Sequence, residues 1–293
     1  MSESDAVRRA RAAADAATAR ADAAARSMIE LLERARSSLL ARAAAYDALD
    51  SAWARSMLYE VDRQLALVRS GAEATLTAHL RDTLAAGDAE ILRQAAAQAP
   101  RAALGIAGVS RDLVEFAAAD SADLVGQLTD SLRRKLARSI RDASTSSLSI
   151  DAFARQVGAT LTDARRPTGI FGSIATQTER VVRTETGRIY EGAQNARLRR
   201  VAEDSGLVVS VEWVATLDGR ERESHRALHG AVIPATEHFN VGPTGPAAQM
   251  SYEAAQREGA ELGDPATGPL DPALPAREAV NCRCTRMGRF ASA

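Results

Sequence analysis

Apolar residues fall at helical spacing through the first two-thirds of the chain, and clear alternation appears only later, between Val208 and Thr216. The opening segment, residues 6 to 47, is rich in the strong helix formers Ala, Arg, Leu and Glu and is predicted as one helix. Its two halves differ. From Met28 onward, Met28, Ile29, Leu31, Leu32, Leu39 and Leu40 give a face that can pack, whereas the first twenty-odd residues carry almost no large apolar side chain. There Arg8, Arg9, Arg11, Arg20 and Arg26 are partly balanced by Asp5, Asp15 and Asp22. With so little to bury, this stretch is expected to be a solvated arm or to need a partner. A second helix is predicted from Ser51 to Leu84, with Trp53, Leu58, Val61, Leu65 and Val68 in phase. In a third, Leu124, Leu128, Leu132, Leu136 and Ile140 form a strict i, i+4 ladder. At 100° per residue such a ladder drifts about 40° per step, so its stripe winds round the helix and must meet more than one neighbour.

Proline punctuates the rest. Of nine prolines only Pro100 and Pro167 precede residue 230, and seven lie between Pro234 and Pro275. The first 148 residues can therefore be a helical assembly region, while residues 149–293 are expected to form a smaller mixed domain, rich in turns towards its end. Ser144 to Ser147 reads as a hinge or cap, and Ser149, Asp151 and Phe153 open a short helix. A long helix is predicted from Thr176 to Glu203. The alternating VVSVEWVAT run of residues 208–216 is predicted as a strand ending at the Asp218-Gly219 turn. A short helix from Glu221 to His229 stops at Gly230, a long Pro/Gly loop follows from Val241 to Pro275, and residues 279–290 return as an edge strand. The fold class is α+β.

Charge narrows the function classes. Lys plus Arg number 37 and Asp plus Glu 38, and the balance holds on both sides of residue 150. Neither half is a general electrostatic trap for nucleic acid or an anionic membrane. The one local exception is the basic run Arg133, Arg134, Lys135, Arg138 and Arg141, a solvated face that can also meet DNA or an acidic partner. No apolar run is long enough to span a bilayer, and the N-terminus lacks the apolar stretch of a signal peptide, so a cytosol-like compartment is expected.

Candidate chemistry concentrates near the C-terminus. His225 and His229 are i, i+4 and share a helix face; Cys282 and Cys284 are i, i+2 and point the same way in an extended segment. Two imidazoles and two thiolates make a closed tetrahedral site suited to zinc, with His229, Asp218, Glu278 and His238 competing for the fourth place. A disulfide between residues two apart would close a strained ring. His225 to His229 has the spacing of a metalloprotease HExxH helix, but Arg226 stands where the general base belongs, so hydrolysis is not expected. Arg183, Glu185, Arg188 and Glu191 are predicted to be surface ionic stitching: Arg188 with Glu191, and the helix as a whole with the Asp218–Arg222 turn. The alternative to a structural protein is a metal-dependent enzyme acting on nucleic acid or protein through Asp218, His225 and Glu278.

The order Arg183-Thr184-Glu185, Asn195, Trp213, Asp218-x-Arg220, Ser224-His225, Leu228-x-Gly230, Asp271-Pro272 and Glu278-x-x-Asn281-Cys282-Arg283-Cys284 resembles the bacteriophage head morphogenesis family, the minor head proteins typified by protein F of phage Mu. The resemblance covers about residues 150–290. It implies a non-enzymatic minor capsid protein of a phage or prophage, assembled in the bacterial cytoplasm and placed at the portal vertex or capsid interior. The implied partners are portal, capsid or scaffold proteins and packaged DNA, the last bound weakly and without sequence preference; the implied roles are head assembly and DNA packaging or release. Relatives often carry a Cys pair where this chain has Arg222 and His225. His225 can replace a thiolate and Arg222 cannot, which makes His229 the natural substitute ligand.

Overall fold

The computed structural model describes residues 5–99, 111–145, 148–161, 168–280 and 282–292. Five helices come first: α1 (Asp5–Ala44), α2 (Ser51–Gln98), α3 (Arg111–Thr145), α4 (Ile150–Val157) and α5 (Gly169–Asp204). Short elements follow: β1 (Leu207–Val214), α6 (Glu223–Ala227), β2 (Val232–Pro234), β3 (Phe239–Val241), α7 (Tyr252–Glu258), β4 (Asp264–Ala266), α8 (Ala276–Ala279) and β5 (Thr285–Ser292). The chain is α+β, as its patterning predicts. It forms two compact units: Ala21–His79 with Phe116–Val182, and Met1–Arg20 with Leu80–Glu115 and Arg183–Ala293.

The first unit is all helix. Leu132, Leu136 and Ile140 of the predicted ladder are fully buried among Leu32 and Leu39 of α1, Trp53, Met57 and Val61 of α2, Phe153 of α4 and Phe171 and Ile174 of α5. The winding stripe thus meets several neighbours of its own chain. Trp53 stacks edge-on against Phe153, centroids 5.2 Å apart. Polar ties fix the register. Glu33 on α1 accepts from Arg36, from the Thr160 hydroxyl at 3.0 Å and from the Leu161 N–H at 2.8 Å, holding the turn after α4. The Arg36 bonds lead in drawing the Glu33 carboxyl down to about 2. Ser149 caps α4 by accepting the Ala152 N–H, as its sequence position predicts. Ser146 and Ser147 of the predicted hinge lie outside the described residues.

The second unit holds the sheets. β1 is central in an antiparallel β2-β1-β5 sheet, with Trp213 opposite Arg286 and Val209 opposite Phe290; β3 and β4 form a separate antiparallel pair. Ile91 and Ala95 of α2 and Leu198 and Val201 of α5 pack with Val209, Val211, Trp213, Ile233, Phe239 and Phe290. β5 is the predicted edge strand, but it spans 285–292, and residues 276–279 form α8. Its free edge is covered. Gln94 accepts the Gly288 N–H at 2.8 Å, and Gln98 donates to the Gly288 carbonyl at 2.9 Å and accepts the Phe290 N–H at 3.2 Å.

Two expectations are corrected here. The start of α1 is not a solvated arm: Val7 and Ala10 are buried against Val214 and Met287, and Arg11 donates to the Ala215 carbonyl at 2.7 Å. Alanines do this because a helix with short side chains can lie close to a strand. The predicted loop of residues 241–275 is also largely organised. Ser251 caps α7, Gly259 ends it at φ 65°, and buried Asn240 bonds the Ala247 and Glu261 carbonyls and the Gly263 N–H at 2.7–3.1 Å.

Candidate metal centre

α6 is a single short turn of helix, and its position is set from the C-terminal side. Arg222, at its N-cap, donates to the Val280 carbonyl at 2.7 Å, and Ser224 donates to Glu278 Oε2 at 2.9 Å. His225 is thereby driven inward, fully buried, its ring edge-on to Trp213 with centroids 5.3 Å apart. The segment entering β5 is extended, so Cys282 and Cys284 face one way and Arg283 the other. Both sulfurs approach the same ring nitrogen: Nδ1 of His225 lies 3.4 Å from Cys282 Sγ and 3.5 Å from Cys284 Sγ. On the far side of the ring, Nε2 stands 3.2 Å from Glu278 Oε2.

Among the described residues His225, Cys282 and Cys284 form the group whose ligand atoms all lie within 4.8 Å of one another. Both cysteines are free. The Cys282 thiol next to Cys284 pulls the Cys284 thiol well below its ordinary range, against desolvation and with help from His225, while Cys282 is pushed up in turn. Two sulfurs converging on a buried imidazole nitrogen are donors for a soft or borderline divalent ion.

The other predicted ligands stand elsewhere. His229 is half-buried, and its Nδ1 accepts the Ala215 N–H at 3.3 Å. His238 pairs with Glu253 at 2.6 Å. Asp218 accepts from Arg283 at 2.6 and 2.8 Å and from Arg220 at 2.9 Å, which together hold its carboxyl far below the usual carboxylate range. The Asp-x-Arg motif therefore clamps the arginine between the two cysteines, and the Thr216 hydroxyl holds the Arg283 carbonyl at 2.6 Å. Glu278 lies beside His225 Nε2, which is buried and meets no hydrogen-bond partner among the described residues. Asp218, with its oxygens committed to the two arginines, does not join the His225 group.

The surface stitching predicted for α5 is corrected. Glu185 pairs with Arg188 at 2.8 Å, and Glu191 is buried, accepting from Arg286 Nε and from the Thr285 hydroxyl at 2.8 Å each. Burial pushes the Glu191 carboxyl upward against the pull of Arg286. Arg286 also donates to the Thr267 carbonyl at 3.1 Å, and Asp271 of the Asp-Pro motif fixes that loop by accepting from Thr267 and Ala273. Sequence reasoning missed this network; the available signal was a charged residue at an inward position of a strand, two residues after Cys284. Trp213 is core, Asn195 is half-buried on α5 and Arg183 is exposed there; Asn281 lies outside the described residues. Of the basic run on α3, all five side chains are exposed, but Arg133 pairs with Asp62 at 2.6 Å and Lys135 donates to Ser173. Arg134, Arg138 and Arg141 have no ion-pair partner among the described residues.

The family model described as phage Mu protein F like protein matches residues 131–287, just over half of the chain. No curated protein and no solved structure matches it. The match takes in the end of α3, all of α4 to α8 and the cysteine pair with its Asp-x-Arg clamp, and on that ground the chain belongs to the phage Mu protein F-like family, a family of phage head morphogenesis proteins.

Proposed function

We propose that the chain is a minor capsid protein of a phage or prophage, present at the portal vertex or in the capsid interior, and that it acts in head assembly and in DNA packaging or release. The observation that carries this reading is the family match over residues 131–287. The site chemistry agrees with a structural rather than an enzymatic role. Asp218 is committed to Arg283 and Arg220, Glu278 accepts from Ser224, and two sulfurs beside a buried imidazole favour holding an ion over opening it to substrate. Arg134, Arg138 and Arg141 offer a small cationic face for weak, salt-sensitive contact with packaged DNA. No described helix is long and apolar enough to cross a membrane.

The leading partner is the portal protein of the same phage. Co-expression with that portal followed by size-exclusion chromatography tests the reading, and a shared peak is expected at micromolar concentration. Separate elution of two folded proteins would overturn the portal assignment. The ladder on α3 gives no independent support for such a partner, because its own chain covers it.

A further inference from the structure

The geometry points to a zinc site of defined composition: Cys282 Sγ, Cys284 Sγ and His225 Nδ1 bind one zinc ion, and Glu278 is the positioning residue that holds His225 in the tautomer able to bind it. This inference does not depend on the role in the phage head.

Four observations converge. With zinc–sulfur bonds of about 2.3 Å and zinc–nitrogen bonds of about 2.0–2.1 Å, tetrahedral geometry places sulfur about 3.5–3.6 Å from nitrogen. The two distances to His225 Nδ1 are 3.4 and 3.5 Å. A neutral imidazole nitrogen has one lone pair, so two thiols cannot both donate to it well. One ion shared by the three atoms satisfies all of them. Next, both cysteines are free, so each sulfur is available as the thiolate a metal requires. Finally, Glu278 Oε2, itself engaged by Ser224, stands 3.2 Å from the otherwise unpartnered Nε2, so a small turn of either side chain puts the ring proton on Nε2 and leaves the Nδ1 lone pair for the ion.

His229, the ligand suggested by helical spacing, has its Nδ1 turned to the Ala215 N–H instead. The i, i+4 rule puts the two rings on one face, but α6 ends at Ala227 and the chain turns before His229. An ion here would fasten the segment entering β5 to α6 across 57 residues of chain, closing the Pro/Gly-rich loop.

The test uses the full chain purified without an affinity tag. Zinc is measured by elemental analysis, and the apo protein is titrated with cobalt as a spectroscopic substitute. One zinc per chain is expected, with a tetrahedral cobalt spectrum carrying thiolate-to-metal charge transfer. The Cys282→Ser, Cys284→Ser variant should lose both signals. Glu278→Gln should keep the stoichiometry and the spectrum but lose about 10–100-fold in affinity against a competing chelator. His229→Ala should bind as tightly as the parent. If the double cysteine variant does not fold, the parent's cobalt spectrum decides alone. Less than a tenth of an equivalent of zinc, or cobalt bound without charge transfer, overturns the site. Loss of metal in His229→Ala with none in Glu278→Gln overturns the ligand assignment.

Discussion

Replacing Arg286 by Met isolates the cost of an unpaired carboxylate behind the cysteine strand. In the parent, Glu191 and Arg286 are 3% and 2% exposed, their charged atoms are 2.8 Å apart, and Arg286 also satisfies the Thr267 carbonyl. Met fills most of the arginine's volume, so the cavity term is small. Two losses remain. A carboxyl of ordinary pKa 4.5 forced neutral at pH 7 costs about 3.4 kcal/mol, which caps the charge penalty because Glu191 can take a proton rather than stay buried as an anion; the parent already bears part of this cost, since burial raises its Glu191 carboxyl as well. The orphaned Thr267 carbonyl adds about 1 kcal/mol. The expected destabilisation is therefore about 1–4 kcal/mol at pH 7. In the variant, the folded state raises the Glu191 pKa above its unfolded value and binds the extra proton. Loss of Arg286 raises the Glu191 pKa further than in the parent, so the deficit must grow as pH rises, and at pH 5 it should be smaller than at pH 7 by up to about 2.6 kcal/mol. Replacing Glu191 by Leu as well should recover most of the loss. The assay is urea unfolding followed by Trp213 fluorescence in a Trp53→Phe background, since Trp53 lies in the other unit. A loss below about 1 kcal/mol, or one equal at both pH values, would refute the buried-pair argument.

Leu136→Ala, at a fully buried position of the ladder, should destabilise the helical unit by about 2–5 kcal/mol in urea melts read from Trp53 fluorescence in a Trp213→Phe background. Glu33 contributes stability that is complete above its unfolded pKa of 4.5 and lost as pH falls towards about 2; acid titration followed by circular dichroism should show Glu33→Gln losing about 1–2 kcal/mol at pH 7 and little at pH 2. DNA binding should be weak and fall steeply with salt, and Arg134→Glu with Arg138→Glu should lower both the affinity and the salt slope by electrophoretic mobility shift; binding that survives several hundred millimolar salt would point to a different surface.

Local pattern made much of the chain legible. The Leu124–Ile140 ladder, the Ser149 cap, the alternation of residues 208–214 and the same-face pair Cys282 and Cys284 each depend on residues a few positions apart, where helix and strand geometry dictates who faces whom. His225 was legible too, as a histidine on a short helix. What only the tertiary structure decided are the pairings across long stretches of chain: Glu191 with Arg286, Asp218 with Arg283, Glu278 with His225, and Val7 and Ala10 against β1 and β5. Surface stitching and a buried ion pair look alike in sequence, because both are charged residues on a helix and burial is assigned by what packs above them. The alanine-rich start of α1 shows the same limit. Side-chain size announces that it has little apolar area to bury, but a narrow helix also fits close against a strand, and which of the two applies is settled by the surface that arrives some 200 residues later.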